Sequence, residues 1–169
     1  EYLICYNHFM MKELDLQERA DAHLAKYPES AYRSHLYFMK GRTYYEKKNW
    51  QKVIDCYAKA DANDLKYEDS ELMTFTEGYA NMKMGKYDKA AKKFRESMMT
   101  SKSFYDEAGY YYGYSEFCQK NYNEAIEAFH EVSDKSKYKE AAEFHILQIY
   151  DMKGQRTAAV EKGKELLKN

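Results

Sequence analysis

Proline and glycine are scarce in this chain, one and seven among 169 residues. That argues against a fold of many tight turns. With alanine, leucine, lysine and glutamate common, it favours helix over sheet. Cysteine is nearly absent. Cys5, Cys56 and Cys118 are odd in number and unrelated in spacing, so they set up neither a disulfide framework nor a zinc site and read as buried thiols on helix faces. An excess of one charge is also lacking. The net charge is −1, and lysine alternates with glutamate along the chain, unlike the basic face that nucleic acid requires. No apolar run approaches the ~20 residues of a membrane-spanning helix, so no direct membrane insertion is expected. No secretory leader is visible. The sequence opens at Glu1-Tyr2 and closes in mid-pattern at Glu165-Leu166-Leu167, which reads as a piece of a longer protein.

Chemistry is lacking as well. There is no phosphate-cradling glycine loop, no G-x-S-x-G and no H-E-x-x-H. His8, His23, His35, His130 and His145 are scattered, with no pair at i, i+4. The acidic pairs Glu13/Asp15 and Glu68/Asp69 sit where helix starts favour negative charge. The basic run from Lys89 to Arg95 is broken by Ala90, Ala91 and Phe94 and reads as the solvated face of a helix. The expectation is no enzyme, no metal and no cofactor.

What is present is tyrosine, nineteen of them, and a phrase written repeatedly. KNWQKVIDCYAKA at 48 returns as GKYDKAAKKFRES at 85 and KNYNEAIEAFHEV at 120, with a further turn at Gly154-Gln155-Arg156. The steps are 37, 35 and 34 residues (48 to 85, 85 to 120, 120 to 154). Within each phrase the apolar positions fall three or four apart on one helix face: Trp50, Val53, Tyr57; Tyr87, Ala90, Phe94; Tyr122, Ala125, Phe129. A second helix precedes each of these turns. Its glycine lies twelve residues before the small residue of the next helix, as in Gly41 to Val53, Gly78 to Ala90 and Gly113 to Ala125. Small residues there predict close approach of two antiparallel helices, locked by the aromatics just beyond. A weaker copy opens the chain, YLICYNHFMM followed by LQERADAHLAKYP and closed by Pro28. A two-helix unit of about 34 residues cannot bury its apolar face alone and must stack on neighbours.

Gly85-x-Tyr87-x-x-Ala90-x-x-x-Phe94 resembles the tetratricopeptide (TPR) signature, and the resemblance runs along nearly all of the chain. It implies an all-α fold, a right-handed α-α superhelix in one solenoid domain over 1–169, with units near 1–30, 34–67, 71–103, 106–138 and 140–169. LAKYPES and the tyrosine-rich first helices are similar to multi-repeat TPR proteins of the Gram-negative envelope, which implies a periplasmic or envelope location. The pattern departs at position 11, usually aromatic, which is Asn81 and Glu116 in the middle units; tyrosine stands two places earlier, at Tyr79 and Tyr114.

By that resemblance, positions 2, 5, 9 and 12 of the first helices face a concave groove. Position 2 is His35, Leu72, Glu107 and Ala141. Positions 5, 9 and 12 are Phe38, Arg42 and Tyr45; Phe75, Tyr79 and Met82; Tyr110, Tyr114 and Phe117; and Phe144 and Gln148, with Asp151. Aromatics stand where chaperone-binding TPR proteins carry carboxylate-gripping lysine, asparagine and arginine. The groove so implied suits an amphipathic helix or extended peptide of a protein partner. The alternatives are self-association through open solenoid ends, giving a homo-oligomer, and, ranked lower, a small-molecule or glycan site on the aromatic row. Packing of Tyr79 and Tyr114 into the repeat core competes with the open groove. Phe94→Ala or Phe129→Ala is expected to cost about 3–5 kcal/mol; an unchanged melting temperature in either variant defeats this register.

Overall fold

The computed structural model describes residues 16–167. Among them lie nine α-helices and no strand: α1 (Leu16–Lys26), α2 (Arg33–Glu46), α3 (Trp50–Tyr57), α4 (Tyr67–Lys83), α5 (Tyr87–Thr100), α6 (Tyr105–Cys118), α7 (Tyr122–Glu131), α8 (Lys139–Met152) and α9 (Arg156–Leu166). The first helix expected in YLICYNHFMM, with Cys5, His8 and the Glu13/Asp15 pair, lies outside the described residues. Contacts divide the chain into two compact units, one ending at Gly85 and the other beginning at Lys86.

The repeated phrase marks a repeated turn. Lys48, Gly85, Lys120 and Gly154 all have positive φ, between 55° and 71°. Each stands two residues past the end of a helix, where a left-handed residue lets the chain reverse while the last carbonyls find donors. Lys48 N–H donates to Tyr45 O and Asn49 N–H to Tyr44 O, both 2.9 Å. Lys120 and Asn121 donate to Phe117 O and Glu116 O at 3.0 Å, and Gly154 and Gln155 to Asp151 O and Tyr150 O at 2.9 Å. Glycine holds this conformation freely; lysine at two of the four places does so against a steric cost of about 1–2 kcal/mol.

Position 11, where the aromatic is missing, serves the same turn in the second unit. The buried Glu116 carboxylate accepts from Asn121 Nδ2 at 2.6 Å. In the first unit Asn81 is buried and donates from Nδ2 to Glu77 O at 3.0 Å.

A second device repeats in register. Asp61 N–H donates to Ser34 Oγ and Ser133 N–H to Asp106 Oδ1, each at 3.0 Å. Both bonds tie the chain leaving a second helix to the start of its own first helix, and both span 27 residues (34 to 61, 106 to 133).

Between the paired helices the glycines decide how close the axes come. A Cβ on Gly41 would stand 2.1 Å from the Tyr57 ring, and one on Gly113 would stand 2.8 Å from the Phe129 ring. By spacing along the chain each glycine pairs with the small residue opposite, Val53 or Ala125. The nearest atoms belong instead to the aromatic one turn on. A helical side chain leans toward its own N-terminus, so the Phe129 ring lies back over the turn that holds Ala125.

Around these contacts the cores form. In the first unit, Leu16 and Ala20 meet Leu36 and Met39, joining α1 to α2. Phe38, Val53, Tyr57, Met73 and Ala80 join α2, α3 and α4. In the second, Ala125, Phe129 and Val132 meet Ala142, Ile146 and Ile149 of α8. Ala90 and Phe94 of α5 are fully buried, while Lys89, Lys92 and Arg95 are exposed. Cys56 is buried and Cys118 half-buried, both unpaired.

Two substitutions at these points should act in opposite directions. Gly113→Ala forces a methyl group into the Phe129 ring and should lower stability by about 1–3 kcal/mol. Lys120→Gly relieves the left-handed turn and should raise it by about 1 kcal/mol. Thermal melts of the two variants beside the parent test both signs.

Candidate functional site

The first unit brings Tyr45 of α2, Trp50 of α3 and Tyr79 of α4 into one group. Ring centroids are 5.5 Å apart for Tyr45–Trp50 and 5.8 Å for Tyr45–Tyr79 and Trp50–Tyr79, mostly edge to face, and all three rings are half-buried. Lys83 Nζ stands 5.1 Å over the Tyr79 ring. Arg42 is half-buried on α2, and its Nε is buried without a hydrogen-bond partner. Its charge lies near the Tyr57 phenol. Burial pushes that phenol well above its usual range, and Thr76 and Arg42 only partly counter this.

Phe38, Phe75 and Met82 are buried, and the cluster that holds Phe38 backs Tyr45 and Trp50. The reason is visible at position 5 in both units. Phe38 stacks on Tyr57, centroids 6.3 Å apart at 21°, and Tyr110 packs on Phe129 at 5.9 Å. These are the same rings that cover Gly41 and Gly113. Phe38 and Tyr110 are drawn into the contact between their paired helices, so less of them remains to meet a partner, whereas Phe144, at position 5 of α8, stays exposed.

The second unit carries the larger group, centred on His145 of α8. Its ring stacks on Phe129 at 5.3 Å and 21°, and lies 5.9 Å from Tyr110, 5.6 Å from Tyr114 and 5.5 Å from Phe117 of α6. Polar atoms fix its orientation. His145 Nδ1 is 2.8 Å from Gln148 Oε1, and Nε2 is 3.3 Å from the Tyr110 hydroxyl. Gln148, Tyr114 and Phe117 are half-buried, and Phe144, beside His145, is 52% exposed. Tyr138 closes the group from below: its ring stacks on Tyr110 at 5.1 Å, and its hydroxyl donates to Glu107 Oε1. Burial and the bond to the Glu107 carboxylate push that phenol well above its usual range.

His145 and Tyr138 are the residues that the sequence reading missed. His145 is an isolated histidine by spacing; only its place between Phe144 and the apolar Ile146 hints at packing. Among the described residues no three His, Cys, Asp or Glu side chains gather as a metal site. What the arrangement offers is wide ring surface with a few fixed hydrogen-bonding atoms.

The helix that carries Phe144, His145 and Gln148 is held by charge. Glu143, buried on α8, pairs with Lys139 at 3.1 Å and with Lys162 of α9. Burial pushes its carboxyl up, but the hydrogen bonds and charges of Lys162 and Lys139 outweigh burial and hold it below the ordinary 4.5. A depressed carboxyl stabilises the fold above its unfolded-state value and loses that contribution as pH falls through the folded value. Stability should therefore fall below about pH 4.5 partly through Glu143, and Glu143→Gln should show a shallower fall in melting temperature between about pH 6 and about pH 3.5.

No family model and no curated protein matches this chain. Among solved structures, the crystal structure of MamA, a TPR-like helical-repeat protein, superposes with a TM-score of 0.73 at 19% identity, covering 98% of this chain and 93% of that one. With nine helices, no strand among the described residues and turns in register, this chain has an all-α, TPR-like helical-repeat fold.

Proposed function

We propose that this chain is a non-catalytic scaffold that holds a helix or extended peptide of a protein partner on its aromatic surfaces. The observation that carries the reading is Phe144, a large ring 52% exposed beside the group around His145. An exposed aromatic backed by a rigid stack gives contact area without the entropic cost of ordering a flexible side chain. Tyr114, Phe117 and Gln148 complete the surface in the second unit; Tyr45, Tyr79 and Arg42 form the smaller one in the first. The TPR-like fold supports the same reading, since such folds serve generally as protein-interaction scaffolds. The periplasm or cell envelope is the compartment we propose with it, on the family resemblance alone.

Self-association is the second reading, favoured by the α8–α9 end. Met152 is 59% exposed, Val160 55% and Leu167 89%. Sedimentation equilibrium over a range of concentrations separates the readings: a mass that rises with concentration supports self-association.

The scaffold reading is tested with the chain and its Phe144→Ala variant as baits. This position is exposed, so the variant should keep the parent's circular dichroism. A captured protein, narrowed to its binding segment, should bind the variant about tenfold more weakly in calorimetry. Equal affinity for both proteins removes the aromatic surface of the second unit from the proposal.

A further inference from the structure

A cavity of about 540 Å³ opens on the second unit, away from the rings around His145. Helical spacing separates the two faces of α6. Tyr110, Tyr114 and Phe117 point one way; Tyr105 and Tyr112, seven residues apart, share the opposite face and line the cavity. The facing wall is α7, which contributes Glu124, Glu127 and Glu131, all exposed. The end of α5 supplies Met98 and Met99, the latter 82% exposed, and Arg95.

Three carboxylates against one guanidinium leave the lining negative. Glu131 accepts from the Tyr105 hydroxyl at 3.4 Å. Neither Glu124 nor Glu127 lies within ion-pair distance of a lysine or arginine among the described residues, Arg95 included. A protein surface that holds free carboxylates, tyrosine rings and flexible thioethers in one hollow has three parts that match one kind of side chain. The carboxylates suit a cationic head, the rings suit a cation above their faces, and the methionines suit an aliphatic stem.

We infer that this cavity is a docking site for a basic segment of a protein partner, one that places two lysine or arginine side chains into it. The spacing sets the number. Glu124 and Glu131 stand seven residues apart on α7, about 10 Å along the axis at 1.5 Å per residue. That distance suits two cations about three residues apart on an extended segment, at about 3.3 Å per residue, with Glu127 between them. The site is independent of the aromatic surface proposed above and stands or falls without it.

The test uses the chain with ¹³C-labelled methionine methyl groups and a hexalysine peptide as probe, in low salt. Hexalysine should shift the Met98 and Met99 methyl signals, and the affinity read from those shifts should fall about tenfold in Glu124→Gln/Glu127→Gln. Both positions are exposed, so the variant should keep its fold. The control Glu29→Gln/Glu68→Gln removes the same charge from the first unit and should leave the affinity unchanged. Met99→Lys, which places a cation at the cavity itself, should also weaken binding. Three results overturn the proposal: methyl signals that do not move, a control pair that weakens binding as much as the cavity pair, or shifts produced by calcium chloride and not by hexalysine.

Discussion

The contact on which each helix pair rests is an aromatic ring laid on a glycine. Gly41 under Tyr57 and Gly113 under Phe129 leave no room for even a methyl group. Antiparallel helices with ordinary side chains at that point would stand farther apart. The rings would then lose the backing of the first helix, and the position-5 aromatics their seat on those rings. In the second unit the chain of consequence is longest. Phe129 carries His145, His145 meets the tilted rings of Tyr110, Tyr114 and Phe117, and Phe144 stands at the margin. The exposed surface is as rigid as the glycine contact beneath it.

Polar groups keep this packing in register without competing with it. The left-handed turns, the 27-residue side-chain clasps and the Glu116–Asn121 bond all lie at helix ends, where backbone groups lack intrahelical partners. Buried charges away from the helix ends have partners: Glu143 has two lysines to offset its burial, and Lys40 of α2 has Asp21.

Much of this was legible in the sequence, because helical period and repeat spacing are properties of the chain. The turns at 48, 85, 120 and 154, the buried faces of α5 and α7 and the close approach at Gly41 and Gly113 all follow from residue type and interval. The partner of each glycine was not legible. It depends on the direction a side chain leans, which moves the contact by a turn from Ala125 to Phe129. Nor was the fate of position 5. Phe38 and Tyr110 occupy places that the resemblance assigns to a groove, but proximity to the Tyr57 and Phe129 rings draws them inward. His145 lay beyond reach for a simpler reason: its neighbours come from another helix, and no spacing along the chain announces them. The cavity at Tyr105 and Tyr112 is of the same kind, assembled from three helices whose residues are unremarkable singly.

The clasps have a consequence for how such a chain can vary in length. Inside a hairpin the intervals are fixed: 16 residues from glycine to ring (41 to 57, 113 to 129) and 27 from first-helix start to second-helix exit. The repeat steps nonetheless differ, at 37, 35 and 34. The difference therefore falls outside those intervals, in the connections between one hairpin and the next and the helix ends that border them: α4 has 17 residues where α2 and α6 have 14, and the short 3₁₀ turn at Ala62–Asp64 precedes it. Insertions and deletions in relatives of this chain belong in those connections, where a residue gained or lost moves neither a glycine from under its ring nor a clasp from its acceptor.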